Sequence, residues 1–269
     1  MGHLEGLVPL GEGREAEVFL RPDGCVLKLM RSADFADRVQ REAAALEALA
    51  EADHLAPAFR DIVEVDGRPG LVSERIEGVD QLTALTRRPW LFLRAAGSMA
   101  RAHTAIHRCQ APASLPNLND VLRMRIETAP ALPDHLGSHA LEMLDSLPTG
   151  DRLCHGDLHP GNILGMWDAP VVIDWGDAAR GDPLADVART ELLVRLGDPL
   201  HMPAGMRILT AIGRGLLARR YLALYQRSAA IDRSRLRHWE VVRAAARFYE
   251  EIEAEYKGLL AFLERQRSQ

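Results

Sequence analysis

The first 75 residues carry short apolar runs separated by turn residues. Leu7–Leu10, Ala16–Leu20 and Cys25–Met30 read as strands, with Pro22-Asp23-Gly24 as a hairpin turn between the second and third. Phe59–Val65 and Gly70–Ile76 flank Asp66-Gly67 and predict a second hairpin. Between the hairpins, Ser32–Ala52 has helical spacing, with Ser32 placed to cap it and Asp34 and Asp37 in its first turns. Phe35, Val39, Leu46 and Leu49 share one stripe, and Glu42 falls on it too. After Gly78 the period changes to that of helices. These are predicted over Pro89–Cys109, Leu118–Thr128, His135–Leu147, Leu184–Leu196, Met206–Gln226 and Ser234–Arg265. Residues 151–175 interrupt this with the short segments Arg152–Cys154, Asn162–Leu164 and Val171–Ile173. The pattern predicts an α+β chain. A small antiparallel sheet lobe with one helix, residues 1–76, joins a larger, mostly helical lobe, residues 77–269, through a hinge near Glu74–Asp80.

Composition narrows the class. With 269 residues, 47% hydrophobic and 26% charged, the chain is an ordinary globular protein, and 5% aromatic content leaves its core to aliphatic side chains. No apolar run reaches the roughly 18 residues of a membrane span. The start, Met1-Gly2-His3-Leu4-Glu5-Gly6, has the form of neither a signal peptide nor a myristoylation site. Cys25, Cys109 and Cys154 are odd in number and far apart, which suits a reducing cytoplasm. The net charge of -5 divides into -7 over residues 1–79, -4 over 80–201 and +6 over 202–269. That is no nucleic-acid footprint. Only Lys28 and Lys257 among the 33 basic residues are lysines, so a lysine here hints at a place for a compact ammonium.

Three fragments carry candidate chemistry. Gly11 and Gly13, in Gly11-Glu12-Gly13-Arg14-Glu15-Ala16, allow a turn whose N–H groups approach a phosphate, although a plain β-turn explains the fragment alone. Glu12, Glu15 and Glu17 are expected to point to solvent. Lys28 faces opposite to Leu27 and Leu29 by alternation, and Glu42 lies on the apolar stripe of the next helix. Two opposite charges on facing apolar surfaces predict an ion pair. The third fragment is His155-Gly156-Asp157-Leu158-His159-Pro160-Gly161-Asn162, with Ile173-Asp174-Trp175-Gly176 after a turn. Asp157 suits a proton acceptor, and Asn162 and Asp174 offer the hard oxygens that Mg²⁺ takes.

These fragments resemble the aminoglycoside phosphotransferase family of the protein-kinase-like fold. His155 to Asn162 is similar to its catalytic loop and Ile173–Gly176 to its metal-binding segment. Gly181-Asp182-Pro183-Leu184-Ala185-Asp186-Val187-Ala188 is similar to the stretch C-terminal to that segment. The resemblance implies a bilobal kinase-like fold and phosphoryl transfer from ATP or GTP to a hydroxyl of a small molecule, an aminoglycoside or related antibiotic among the acceptors. It implies that Lys28, positioned by Glu42, holds the nucleotide phosphates below the Gly11–Gly13 loop. The backbone of Glu74 and Ile76 holds the purine, Asp157 faces the acceptor hydroxyl, and Asn162 and Asp174 bind Mg²⁺. Asp182 is expected to tie its segment to the catalytic loop, and His159 stands near the γ-phosphate.

Other readings compete. One is a catalytically inactive nucleotide-binding scaffold of the same fold, against which the presence of Lys28, Asp157, Asn162 and Asp174 speaks. A metal-dependent hydrolase would use His155, Asp157 and His159 from one side of a strand. His103 and His107 have a metal-compatible spacing, but no His-Glu-x-x-His pattern surrounds them and a core role is expected. A regulated protein kinase is disfavoured by the short span from Asp174 to Gly181 and by Gly156. A cationic acceptor would draw on Asp177, Glu191, Glu240, Glu250, Glu251 and Glu253. Arg207, Arg214, Arg219, Arg220, Arg227, Arg233, Arg235, Arg237, Arg243 and Arg247 suit a neutral or anionic one.

Overall fold

The N-terminal sheet has five antiparallel strands in the order β1-β2-β3-β5-β4: β1 (Val8–Glu12), β2 (Ala16–Leu20), β3 (Val26–Met30), β4 (Phe59–Val65) and β5 (Arg68–Ser73). The computed structural model describes residues 6–52, 54–196 and 204–268, and within these all side chains except those of 204–211. The first five residues, on which the signal-peptide and myristoylation readings rest, lie outside them, as does the side chain of Arg207. Asp66 and Gly67 turn the β4–β5 hairpin at φ 52° and 74°, the left-handed pair that a two-residue hairpin loop demands. Ser32 accepts the Asp34 N–H at 3.2 Å and opens a 3-10 turn that runs into α1 (Ala36–Ala48).

Alternation divides the sheet as expected. Leu27, Leu29, Val65 and Val72 form a small outer cluster. Met30 and Leu71 join Val39, Ala43 and Leu46 of α1 in the main core, which continues into the helical lobe.

In that lobe α2 (Gln81–Arg87) was absent from the sequence expectation, although Asp80 caps it by accepting the Thr83 N–H at 2.8 Å. α3 (Phe92–Ile106) comes after a 3-10 turn at Pro89–Leu91, and α4 (Leu118–Glu127) and α5 (Asp134–Asp145) come next. Two short antiparallel pairs frame the segments that hold the candidate site residues: β6 (Arg152–Cys154) with β9 (Ala179–Gly181), and β7 (Ile163–Met166) with β8 (Ala169–Val172). α6 (Pro183–Leu196), α7 (Ala204–Tyr225), α8 (Arg233–Ala246) and α9 (Glu253–Arg267) complete the described elements. α3 packs on α7 and α6 on α8.

The single helix expected over Ser234–Arg265 is two. The break at residues 247–252 contains Glu251 at φ 54°. Arg247 pairs there with Glu255, eight residues on. In a continuous helix those positions lie about 12 Å apart along the axis, so this bidentate pair exists because the chain turns. The turn delivers Tyr249, Glu250 and Glu251 to the interlobe cleft.

Candidate active site

Lys28 projects from β3 toward α1. Its Nζ lies 2.7 Å from Glu42 Oε2 and 2.6 Å from Asp174 Oδ1, so the pair expected from facing apolar surfaces is present and gains a third member. Burial favours the neutral amine, but the two carboxylates override it and hold Lys28 above its ordinary range. Glu42 Oε1 also accepts the Trp175 N–H at 3.4 Å, which couples α1 to the segment after β8. A cavity of about 410 Å³ opens beside this cluster. Leu10, Val18 and Val26 cover it, residues 73–78 back it, and Leu164 and Ile173 floor it. Glu74 and Ile76 are among its lining residues. The Glu74 N–H is already bonded to Ala58 O at 2.9 Å, so the backbone of Glu74 is left as an acceptor.

The glycine turn is less conventional. Gly13 lines a second, larger cavity, whereas Gly11 sits in β1 and lines neither. A Cβ on Gly11 would meet nothing within 4 Å, and one on Gly13 only Ala16 O at 3.8 Å, so packing within the chain requires neither glycine. The expectation that three glutamates face solvent holds for Glu12 only. Glu15 and Glu17 are half-buried, held by Arg38 and Arg68.

The second cavity, about 760 Å³, contains Lys28, Asp157, His159 and Asp174. Lys28 and Asp174 border both cavities, Asn162 the smaller and Asp157 the larger, so the four predicted side chains meet at one cleft. Gly156 sets the local backbone. It stands at φ 84°, and a Cβ there would come within 2.5 Å of Asp177 O, so the loop can pass only as glycine. Asp174 itself is left-handed, at φ 66°, a region that Asp tolerates better than most residues. Asn162 Nδ2 donates to Asp157 O at 3.0 Å, and the Ile173 N–H donates to Asn162 O at 3.0 Å. Asn162 Oδ1 and Asp174 Oδ2 thereby remain without protein partners among the described residues. A neutral amide oxygen and a carboxylate oxygen fit Mg²⁺.

His155 is fully buried. Its Nδ1 accepts the Asp157 N–H at 3.1 Å, and its Nε2 faces Ile173 O at 3.0 Å. Nδ1 is therefore the bare nitrogen and Nε2 carries the proton, so His155 has no lone pair for a metal. That removes the hydrolase reading. His159 Nδ1 accepts the Gly161 N–H at 3.0 Å, and its Nε2 is 3.6 Å from Asp157 Oδ2.

Sequence reasoning missed what holds Asp157. Arg189 of α6, 4% exposed at its side chain, donates from Nη2 to Asp157 Oδ1 at 3.0 Å and from Nε to Gly156 O at 3.1 Å. It also meets Glu250 Oε1 at 2.8 Å. Burial works against ionising Asp157, but His159 and Arg189 override it and hold the carboxyl well below its usual range. Beneath the loop, Asp186 accepts the His155 N–H at 2.6 Å and the Gly156 N–H at 2.8 Å. This corrects the expectation for Asp182. Asp182 instead caps α6 at Leu184 N and receives the Trp239 indole N–H at 2.9 Å. His103 and His107 play the expected core role, each with Nε2 3.3 Å from Asp186 Oδ2 and Nδ1 bonded to Tyr221 or Tyr225. No sequence signal marked Arg189 or Asp186, because α6 is buried at every position from Leu184 to Glu191, which only the packed fold shows. Charges in a helix buried all round must find partners.

The acidic residues expected to greet a cationic acceptor are mostly engaged. Asp177 lies between Arg125 at 2.6 Å and Arg38 at 3.2 Å, which outweigh its burial and lower its pKa to about 2. Glu250 pairs with Arg189 and Arg247. Glu191 and Glu240 face each other away from the cleft, and burial with that neighbour raises Glu240 to about 7. Glu253 opens α9 outside the cavity, and Glu251 lines it.

A family model described as phosphotransferase enzyme family matches residues 6–239. Solved structures share the fold. A thermostable mutant of the aminoglycoside phosphotransferase APH(4)-Ia, in complex with AMP-PNP and hygromycin B, aligns at TM-score 0.64 and 18% identity, covering 98% of this chain and 92% of that one. The aminoglycoside phosphotransferase APH(3'')-Id from Streptomyces rimosus aligns at 0.59 and 22%, covering 90% and 93%. The macrolide 2'-phosphotransferase MphH from Brachybacterium faecium aligns at 0.56 and 19%, covering 96% and 89%. No curated protein sequence matches. The span from Asp174 to α6 is only a turn and β9, as expected for a chain without a long activation segment.

Proposed function

Because the chain belongs to the phosphotransferase enzyme family, we propose that it transfers the γ-phosphoryl group of ATP or GTP to a hydroxyl of a small molecule. The observation that carries this is the meeting of Lys28, Asp157, Asn162 and Asp174 at one cleft. The purine enters the smaller cavity against residues 73–78, with Glu74 O accepting and Ile76 N–H donating. Lys28 leaves Asp174 to hold the α- and β-phosphates while Glu42 keeps it oriented. Gly13, open to solvent, lets backbone N–H groups approach the phosphates, with Gly11 giving the strand before it freedom to adjust. Asn162 and Asp174 are the residues that would hold Mg²⁺, which would supply neutralisation of phosphate charge.

The acceptor occupies the larger cavity. Its hydroxyl oxygen bonds to the γ-phosphorus as the bond to the β–γ bridging oxygen breaks, and its proton passes to Asp157 Oδ2. Arg189 keeps the other carboxylate oxygen fixed. Most of the acceleration comes from holding the reactants in line, an effect of about 7–11 kcal/mol. We place the division between the nucleotide-binding lobe and the catalytic lobe at residues 76/77 and the enzyme in the cytoplasm. Three free cysteines and the lack, among the described residues, of a helix able to cross a membrane are compatible with that.

The test is incubation with nucleotide, Mg²⁺ and a panel of hydroxyl compounds, aminoglycosides included, with the mass gain of one phosphoryl group as readout. Product that disappears in Asp157→Asn supports the proposal. Bound nucleotide without product across the panel favours the inactive scaffold.

A further inference from the structure

The acceptor wall of the larger cavity is unusual for a site meant to receive amines. Its carboxylates Glu15, Asp177 and Glu250 are each engaged by arginine, and Asp157 is held by Arg189. Glu251, exposed at the mouth, is the acidic side chain there without a basic partner among the described residues. At every other carboxylate of this wall an ammonium must compete with a cation already in place, and Arg189 is nearly inaccessible.

Two arginines of this wall keep donors that no carboxylate takes up. Arg125 commits Nη2 to Asp177, while its Nε is buried and has no partner. Its guanidinium carbon stands 5.8 Å from the centre of the Tyr249 ring, which places an aromatic surface beside the fork. Arg14, exposed on the glycine turn, meets only the Glu250 carbonyl oxygen, at 3.2 Å, and has no carboxylate partner among the described residues. A planar fork with free N–H groups is the ordinary receptor for carboxylate or phosphate oxygens.

We propose that the acceptor is an anionic hydroxyl compound, bearing a carboxylate or phosphate that Arg125 anchors and Arg14 covers, and that polycationic acceptors are excluded. This rests on the phosphotransferase reading above and names the substrate class of the same site.

The test varies the charge across a set of sugar-derived hydroxyl compounds. Protein saturated with Mg²⁺ and a non-hydrolysable ATP analogue is titrated with gluconate, glucose 6-phosphate, glucose, glucosamine and kanamycin. At least one anion binds about tenfold or more tighter than glucose, and glucosamine and kanamycin bind no better than glucose. Comparing gluconate with glucose 6-phosphate distinguishes a carboxylate from a phosphate as the anchored group. Arg125→Gln brings the anion-to-neutral ratio to within about threefold of one, and Arg125→Lys retains part of it. Arg123→Gln, at an exposed arginine of the same helix paired with Asp145, leaves the ratio alone. Amines binding as well as the anions, no anion preference, no binding by either anion, or a preference that survives Arg125→Gln each overturns the proposal. Failure of the underlying reading is visible earlier, as nucleotide that does not bind, and overturns both.

Discussion

Two clusters of one cation between two carboxylates flank the loop of residues 155–162, and they are built on different cations. On the nucleotide side Lys28 lies between Glu42 and Asp174. Its side chain is 19% exposed and that of Asp174 48%. On the acceptor side Arg189 lies between Asp157 and Glu250, and its side chain is 4% exposed. The first cation is compact, on a flexible stem, and borders open space, so it can exchange a carboxylate for phosphates. The second is a planar fork that meets a carbonyl and two carboxylates at once, so it fixes geometry and cannot be exchanged. Mobility and rigidity are thus assigned by the chemistry of the cation, in a chain that otherwise uses arginine almost everywhere.

The comparison breaks if both clusters respond alike to substitution. The largest effect expected is at the carboxylate facing the acceptor. Asp157→Asn lowers turnover by about 10²–10⁴-fold with nucleotide affinity retained, as steady-state rates beside calorimetric titration will show. Next come the two cation swaps. Lys28→Arg places a fork where two carboxylates and the phosphates demand a point charge, and nucleotide affinity falls by about tenfold or more. Arg189→Lys cannot span Gly156 O and Asp157 Oδ1 together. It lowers kcat by about tenfold to a hundredfold while the nucleotide KM stays within a factor of about two. Equal KM shifts in the two variants would erase the distinction. Asp174→Ala removes the dependence of nucleotide binding on Mg²⁺, measured by titration with and without the metal.

A smaller effect comes from the anchor beneath both clusters. Burial, reinforced by His107, lowers the pKa of His103 to about 4, against the pull of Asp186, so the ring is neutral in the fold. A depressed folded pKa means that its contribution to stability is intact above about pH 6.5 and is lost as pH falls toward 4. The loss amounts to about 3 kcal/mol. Denaturant unfolding at pH 7.5, 5.5 and 4 measures it, and a His103→Gln variant lacks that part of the decline. The smallest effect belongs to the exposed Arg123–Asp145 pair. Asp145→Asn there changes stability by less than about 1 kcal/mol.

Legibility divided along the same line. Lys28 and Glu42 were readable because each is a charge on an otherwise apolar face, one by strand alternation and one by helical spacing. The 155–176 segment was readable because its chemistry-bearing residues are close in sequence. Arg189 and Asp186 were not readable as parts of the site. Each acts on residues about 30 positions away, and α6 has no polar face to make either stand out. Asp182 and Asp186 lie in one short motif, and only the path of α6 decides which carboxylate reaches the His155 and Gly156 N–H groups. The helix break at residues 247–252 was hidden for a related reason. Its sequence has no proline or glycine, and a pair formed across the turn stabilises it.

The sequence alone determined the strand and helix periods, the first hairpins, the Ser32 cap of the turn that leads into α1, and the set of oxygen and nitrogen groups suited to phosphoryl chemistry. Period and residue type are local properties, and local sterics and hydrophobic burial act on them directly. The tertiary structure decided which charges are spent on one another. It matched Arg38 and Arg125 to Asp177, Arg189 and Arg247 to Glu250, and left Arg125 Nε without a partner. An ion pair depends on a few ångströms between residues far apart in the chain, and only the packed fold sets those distances.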